Sequence, residues 1–143
     1  ELSQGKFKPV LGDTLIKDPL AVTRLVMCSG RVYYDLLERR AEAGLDIVGL
    51  IRMEQLYPFP WRLLREELAR YPNAKEFVWC QEEPQNQGAW YATRHKFEEV
   101  IGAEKDFVYT GRNALSAPAV GYAGLHVQQQ QQLVAQALGL ADS

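Results

Sequence analysis

Few residues in this chain have the type and spacing to do chemistry, and they are scattered. Glu82 and Glu83 stand side by side after an apolar run. Paired carboxylates at the end of a strand can divide general acid–base work between them. No histidine or nucleophile accompanies them, and Pro84, Asn86, Gln87 and Gly88 give the segment the look of a shaped turn. An ordered loop or an interface contact through Glu82, Glu83, Asn86 and Gln87 therefore reads ahead of catalysis. Ser29-Gly30 directly follows the apolar run Arg24–Cys28. A strand handing over to a helix leaves backbone N–H groups that favour an anion, although Ser29 reads first as a helix N-cap. Arg112 could bring a guanidinium fork to the same anion.

The remaining candidates read as structural. His95 lies between Arg94 and Lys96 in a helical stretch and is expected on the surface, and His126 stands at the entry to the last helix. Two isolated histidines make no metal site. Cys28 and Cys80 each end an apolar run, with no C-x-x-C, which predicts buried reduced thiols and an intracellular address. The sequence holds no G-x-G-x-x-G, P-loop, H-E-x-x-H or G-x-S-x-G.

The elements that must position these residues alternate. Arg24–Cys28, Ile47–Ile51, Glu76–Cys80 and Asp106–Tyr109 are short runs apolar on both faces, as buried parallel strands are. Between them, Val32, Leu36, Leu37 and Ala41 recur at helical spacing up to Gly44. Trp61, Leu64, Leu68 and Tyr71 mark a second helix ended by Pro72-Asn73, and Trp90, Phe97, Val100 and Ile101 a third closed by Gly102. A last helix carries Val127, Val134, Ala137 and Leu138 on one side. The pattern predicts an α/β domain, its mainly parallel sheet covered on both faces. Residues 1–20, with Gly5, Pro9, Gly12 and Pro19, read as an irregular lead-in from a preceding domain, and 21–143 as the domain itself. Gln128–Gln132 reads as a polar helix surface.

Composition narrows the function classes. The 143 residues are 47% hydrophobic and 24% charged, enough for one core and no more than one domain. No apolar run approaches the length of a membrane-spanning helix. Sixteen Lys and Arg against 18 Asp and Glu give a net charge of −2, no footprint for nucleic acid. Arg31, Arg39 and Arg40 interleave with Glu38 and Glu42 and read as a solvated helix face with local ion pairs. The chain opens at Glu1 without Met in polar text, which suggests a domain cut from a longer protein.

Several longer strings carry a family resemblance. They are Val26–Leu37 (Val-Met-Cys-Ser-Gly-Arg-Val-Tyr-Tyr-Asp-Leu-Leu), Arg52–Pro60 (Arg-Met-Glu-Gln-Leu-Tyr-Pro-Phe-Pro), Phe77–Tyr91 and Gly111–Gly121, with His126 and the glutamine helix. From about Phe7 to Leu138 the chain resembles the C-terminal domain of the decarboxylating first component of 2-oxoglutarate dehydrogenases, in the transketolase-like family. The resemblance implies a three-layer αβα sandwich with a mainly parallel sheet of about five strands. It implies a cytoplasmic bacterial enzyme that uses thiamine diphosphate and Mg²⁺ to decarboxylate 2-oxoglutarate. That enzyme passes the succinyl group to the lipoyl arm of a dihydrolipoamide succinyltransferase in the citric acid cycle. Its cofactor sits between earlier catalytic domains of the same polypeptide, and this domain packs beside them and helps build the homodimer. No catalytic, cofactor-binding or metal residue is therefore expected here. Gly12-Asp13-Thr14 likewise lacks the continuation of a thiamine-diphosphate Mg²⁺ motif. Actinobacterial relatives carry an allosteric acetyl-CoA site in the corresponding domain, and Ser29, Gly30 and Arg112 match positions where such an anionic activator could be held. A related 2-oxoadipate enzyme shares the same implied architecture.

Overall fold

The computed structural model describes residues 8–84, 90–112 and 123–140. Five strands among them form one sheet: β1 (Val10–Leu11), β2 (Arg24–Cys28), β3 (Val48–Met53), β4 (Glu76–Pro84) and β5 (Asp106–Arg112). Their order is β1-β3-β2-β4-β5, parallel throughout except for β1, which runs antiparallel to β3. Four helices follow the strands in turn: α1 (Val32–Ala43), α2 (Trp61–Leu68), α3 (Trp90–Ile101) and α4 (Ala123–Leu138).

Strand alternation divides the core in two. Leu25, Met27, Ile51, Met53, Phe77 and Trp79 point to one face and pack under Leu64 of α2 and Trp90, Phe97 and Ile101 of α3. Val26, Cys28, Val48, Leu50, Val78 and Cys80 point to the other, under α1 and α4. This is the three-layer αβα sandwich expected of both-sided apolar strands. Aromatic contacts hold α3 to its face: Phe97 stacks on Trp79 with centroids 5.2 Å apart, and Trp90 meets Tyr109 at 5.2 Å. Opposite, Arg24 donates from Nε to the Ala137 carbonyl at 2.8 Å and from Nη2 to that of Gln136 at 3.0 Å. A guanidinium there satisfies carbonyls that the end of α4 leaves open.

Several expectations are corrected. Within the lead-in expected to be irregular, Val10–Leu11 pairs with Met53 and Arg52 as β1, and Asp13 is buried. Arg40, expected on a solvated face, is buried beside Asp13. It joins Val32 and Leu36 on the inner stripe of α1, with Leu37 partly buried against the same core, while Ala41, expected on that stripe, is exposed. Arg39 does sit on the surface, 3.7 Å from Glu42. β4 continues through Glu82-Glu83-Pro84, a segment read as a loop. α2 stops at Leu68, and Tyr71 is reached by a turn in which its N–H donates to the Leu68 carbonyl. On α4, Leu133, Val134, Ala137 and Leu138 are buried while Val127 is exposed.

Candidate functional site

The chain leaves β2 for β3 on one side, then returns across β2 to place β4 on the other. The carboxyl ends of β2 and β4 therefore flank the topological switch point, where open α/β sheets hold ligands. Cys28 and Cys80 are the last partners in register, so Ser29-Gly30 leaves one side of the crevice and Gln81–Glu83 the other.

Ser29 is half-buried and Gly30 takes φ 80°, a left-handed conformation that glycine reaches without penalty. The residue capping α1 is Arg31, with no side-chain cap bond. Ser29 thus lies two residues before the capping position it was expected to fill, because the Gly30 turn intervenes. Arg112 ends β5, two strands from β2 and two residues beyond the row Cys28–Cys80–Thr110. At strand spacing that is ~10 Å to the side, so the turn and Arg112 are not adjacent. Its side chain, with that of His126 and the whole of Asn86 and Gln87, lies outside the described residues.

Asp35, in the first turn of α1, faces this crevice. Gln130 Nε2 donates to Asp35 at 2.8 Å and to Glu82 at 3.0 Å. One residue of the glutamine tract is thus a bridge between α4, α1 and β4 rather than plain surface. Glu82 reaches α4, whereas Glu83 is exposed and contributes its backbone. Its carbonyl accepts from Gln81 Nε2 at 3.1 Å and from the Tyr109 hydroxyl at 3.4 Å. Gln81 is itself buried, its Oε1 accepting from Trp79 Nε1 at 2.8 Å. Burial pushes the Tyr109 hydroxyl up to about 12. The two glutamates thus have separate structural tasks and do not converge on one reacting atom, as general acid–base partners must.

A second group at the same sheet end escaped notice in the sequence. Arg52 lies opposite Cys28, its guanidinium 5.2 and 5.1 Å from the Tyr33 and Tyr34 ring centroids. It donates to the Tyr34 hydroxyl at 3.2 Å, and its Nε is 2.7 Å from Glu54. The β2–β3 register was the only signal that could have placed it, and register is not visible in one sequence.

The other candidates are inert or occupied. Cys28 and Cys80 are buried and free, neighbours on the α1–α4 face. Burial pushes Cys28 up to about 12 and Cys80 well above the ordinary thiol range. His95 is exposed on α3. Asp13 of Gly12-Asp13-Thr14 accepts from Leu15 N–H at 2.9 Å, Leu50 N–H at 2.8 Å and both Arg40 terminal nitrogens. Its oxygens are committed, so this segment does not fit a cofactor's Mg²⁺. No group of three or more potential ligands gathers among the described residues, and no helix among them is long and apolar enough to cross a membrane.

Known proteins settle the lineage. The family profile described as 2-oxoglutarate dehydrogenase C-terminal matches residues 1–138. The chain belongs to this family. It is 49% identical over 140 residues to the 2-oxoglutarate dehydrogenase E1 component of Coxiella burnetii, and 51% over 138 to that of Haemophilus influenzae. Each alignment takes in 96% of this chain and 15% of the relative. The 2-oxoadipate dehydrogenase complex component E1 of Xenopus laevis is 42% identical over 141 residues, with the same coverages. The chain therefore spans about 15% of the length of these relatives. Among solved structures, a split-gene transketolase described as an inactive β4 tetramer superposes with a TM-score of 0.57. At 23% identity, covering 96% of this chain and 44% of that one, it shows a shared transketolase-like fold. The fold and family read from the sequence are both shown.

Proposed function

We propose that the chain serves as the C-terminal assembly domain of a 2-oxoglutarate dehydrogenase first component. The observation that carries this reading is the state of the switch-point crevice. Gln130, Gln81 and Arg52 join Asp35, Glu82, the Glu83 backbone and Glu54 into structural contacts. The side chains at the ligand-binding end of this sheet thus stabilise the domain and shape its surface. Thiamine diphosphate and Mg²⁺ belong to the catalytic domains that precede this one, and they supply the decarboxylation of 2-oxoglutarate there. This domain covers one side of that core in a homodimeric, cytoplasmic enzyme of the citric acid cycle. It borders the path of the lipoyl arm carried by the succinyltransferase.

An acyl-CoA or anion site from Ser29, Gly30 and Arg112 has weaker support, because Asp35 and Glu82 converge beside the Ser29-Gly30 turn and bring negative charge there. A 2-oxoadipate enzyme remains the alternative within the family, and substrate choice belongs to the catalytic domains.

The 143-residue chain tests the reading directly. Titration with thiamine diphosphate and Mg²⁺ is expected to give no binding heat, and incubation with 2-oxoglutarate no carbon dioxide. Saturable cofactor binding or turnover by the purified chain overturns it.

A further inference from the structure

Cys28 and Cys80 have no part in the roles assigned above, yet the sheet sets them side by side. They are free, fully buried and directly opposite each other in the parallel pair of β2 with β4. Both thiols stand on the same face of the sheet, in the cluster under α1 and α4. Val32, Leu36, Leu133 and Val134 of those helices belong to that cluster, so the surroundings are aliphatic. Cys28 donates its thiol proton to the Ile51 carbonyl at 3.8 Å.

Spacing decides what such a pair can hold. Neighbouring strands lie ~4.8 Å apart, and residues in register carry their Cβ atoms at about that separation. A disulfide draws its Cβ atoms to ~3.8 Å, so bridging these two would pull the strands together. Arsenic(III) binds two sulfurs at a pyramidal angle and also needs them closer than the strands hold them. Zinc takes four ligands, and no group of three or more His, Cys, Asp or Glu gathers among the described residues. A soft cation that takes two thiolates in a straight line does fit. Two bonds of the usual metal–thiolate length, ~2.3 Å, span ~4.6 Å.

Charge then decides among the soft cations. A monovalent ion such as Cu⁺ on two thiolates leaves a net anion, which an aliphatic core disfavours. Hg²⁺ displaces one proton from each thiol and leaves a neutral product, with both protons released to water. We propose that Cys28 and Cys80 form a two-coordinate site for a soft divalent cation, Hg²⁺, which bridges β2 to β4 within the folded domain. Each sulfur forms one bond to the ion and loses its bond to hydrogen, and no electron is transferred. The ion lies on the line between the sulfurs, in place of the thiol protons. It enters during local opening, because neither cysteine is exposed, and uptake is correspondingly slow.

Mercury retention by the reduced 143-residue chain tests this. The chain, Cys28→Ala and Cys80→Ala are each incubated with HgCl₂ and dialysed against a simple monothiol, and retained metal is counted by native mass spectrometry. The unaltered chain is expected to keep a single ion. Its thermal midpoint should rise on loading, because an ion held by the folded form and not the unfolded one stabilises the fold. Each variant is expected to keep none, since a lone mercury–sulfur bond exchanges with the monothiol. Arsenite in the same protocol should be washed out. Should a variant fail to fold, retention and melting of the unaltered chain decide the matter. Loss of mercury from the unaltered chain, two ions retained, a midpoint that falls on loading, retention by a folded variant, or retained arsenite each overturns the proposal.

Discussion

Asp13 and Arg40 form a buried ion pair that also completes the edge of β3. The carboxylate accepts the Leu50 N–H at 2.8 Å while the guanidinium donates to the Val48 carbonyl at 3.0 Å. Two side chains thus take the place of a neighbouring strand where β1 has already ended. They also clamp the segment before β2 to α1. Burying two charges is costly, and the pair is sustained by the backbone bonds that use the remaining lone pairs and N–H groups.

Removing one partner strands the other. Arg40→Met is expected to destabilise the chain by about 3–5 kcal/mol, because it leaves an uncompensated buried carboxylate. Asp13→Leu combined with Arg40→Met should cost clearly less than the two single changes added together. Urea unfolding of the four proteins gives the coupling, and strict additivity would contradict the pairing.

Acid should find the same pair. Burial alone raises the Asp13 carboxyl, but the Arg40 guanidinium and the Leu50 and Leu15 N–H groups outweigh it and hold the carboxyl below its ordinary 3.8. A group with a lowered folded value adds stability above the unfolded value, and that stability is lost as pH falls through the folded one. The contribution is therefore complete above pH 3.8 or so and disappears at more acidic pH. Unfolding free energies of Asp13→Asn should show a shallower acid limb than those of the parent chain.

Alkali acts through the buried thiols and phenols. Burial pushes Cys28, Tyr71 and Tyr109 up to about 12. Groups raised in the fold stabilise it below their unfolded values and withdraw that support as pH rises toward the folded ones. Stability should thus decline from the unfolded cysteine value of 9.0 upward. At neutral pH both cysteines stay protonated and shielded. A disulfide reagent should label them no faster than the chain unfolds, and rapid labelling of folded protein would refute the burial.

Gln130 offers a test at the crevice. Gln130→Glu sets a third carboxylate between Asp35 and Glu82 in place of a shared donor. Losing hydrogen bonds to charged groups and adding like charge should cost about 2 kcal/mol at neutral pH. The loss should shrink when the carboxylates are protonated. Thermal melting at two pH values reads both effects.

What was legible in the sequence follows from how each feature is encoded. β2, β3 and β4 are apolar on both faces, and such runs stand out without any partner being known. β1 spans only Val10–Leu11, too short for any period to show. Arg40 sits among charged neighbours, and nothing local marks it as the partner of a distant aspartate. The strand character of Glu82 and Glu83 depends on Gln81, whose amide is buried against Trp79 and the Glu83 carbonyl. Ser29 has the chemistry of an N-cap, but the Gly30 turn moves the cap to Arg31. Local pattern thus located the elements, while side chains that act across the sheet became visible only once register was known.

The central claim is that this domain supports a catalytic core that lies elsewhere in the polypeptide. Its most direct test is a chimera of the Haemophilus influenzae relative in which this chain replaces the matching 138 residues. Decarboxylation of 2-oxoglutarate by the purified chimera, with thiamine diphosphate and Mg²⁺ supplied, is the measurement. Turnover comparable to that of the unaltered relative is the result expected. A folded, cofactor-loaded chimera with no turnover would contradict the account.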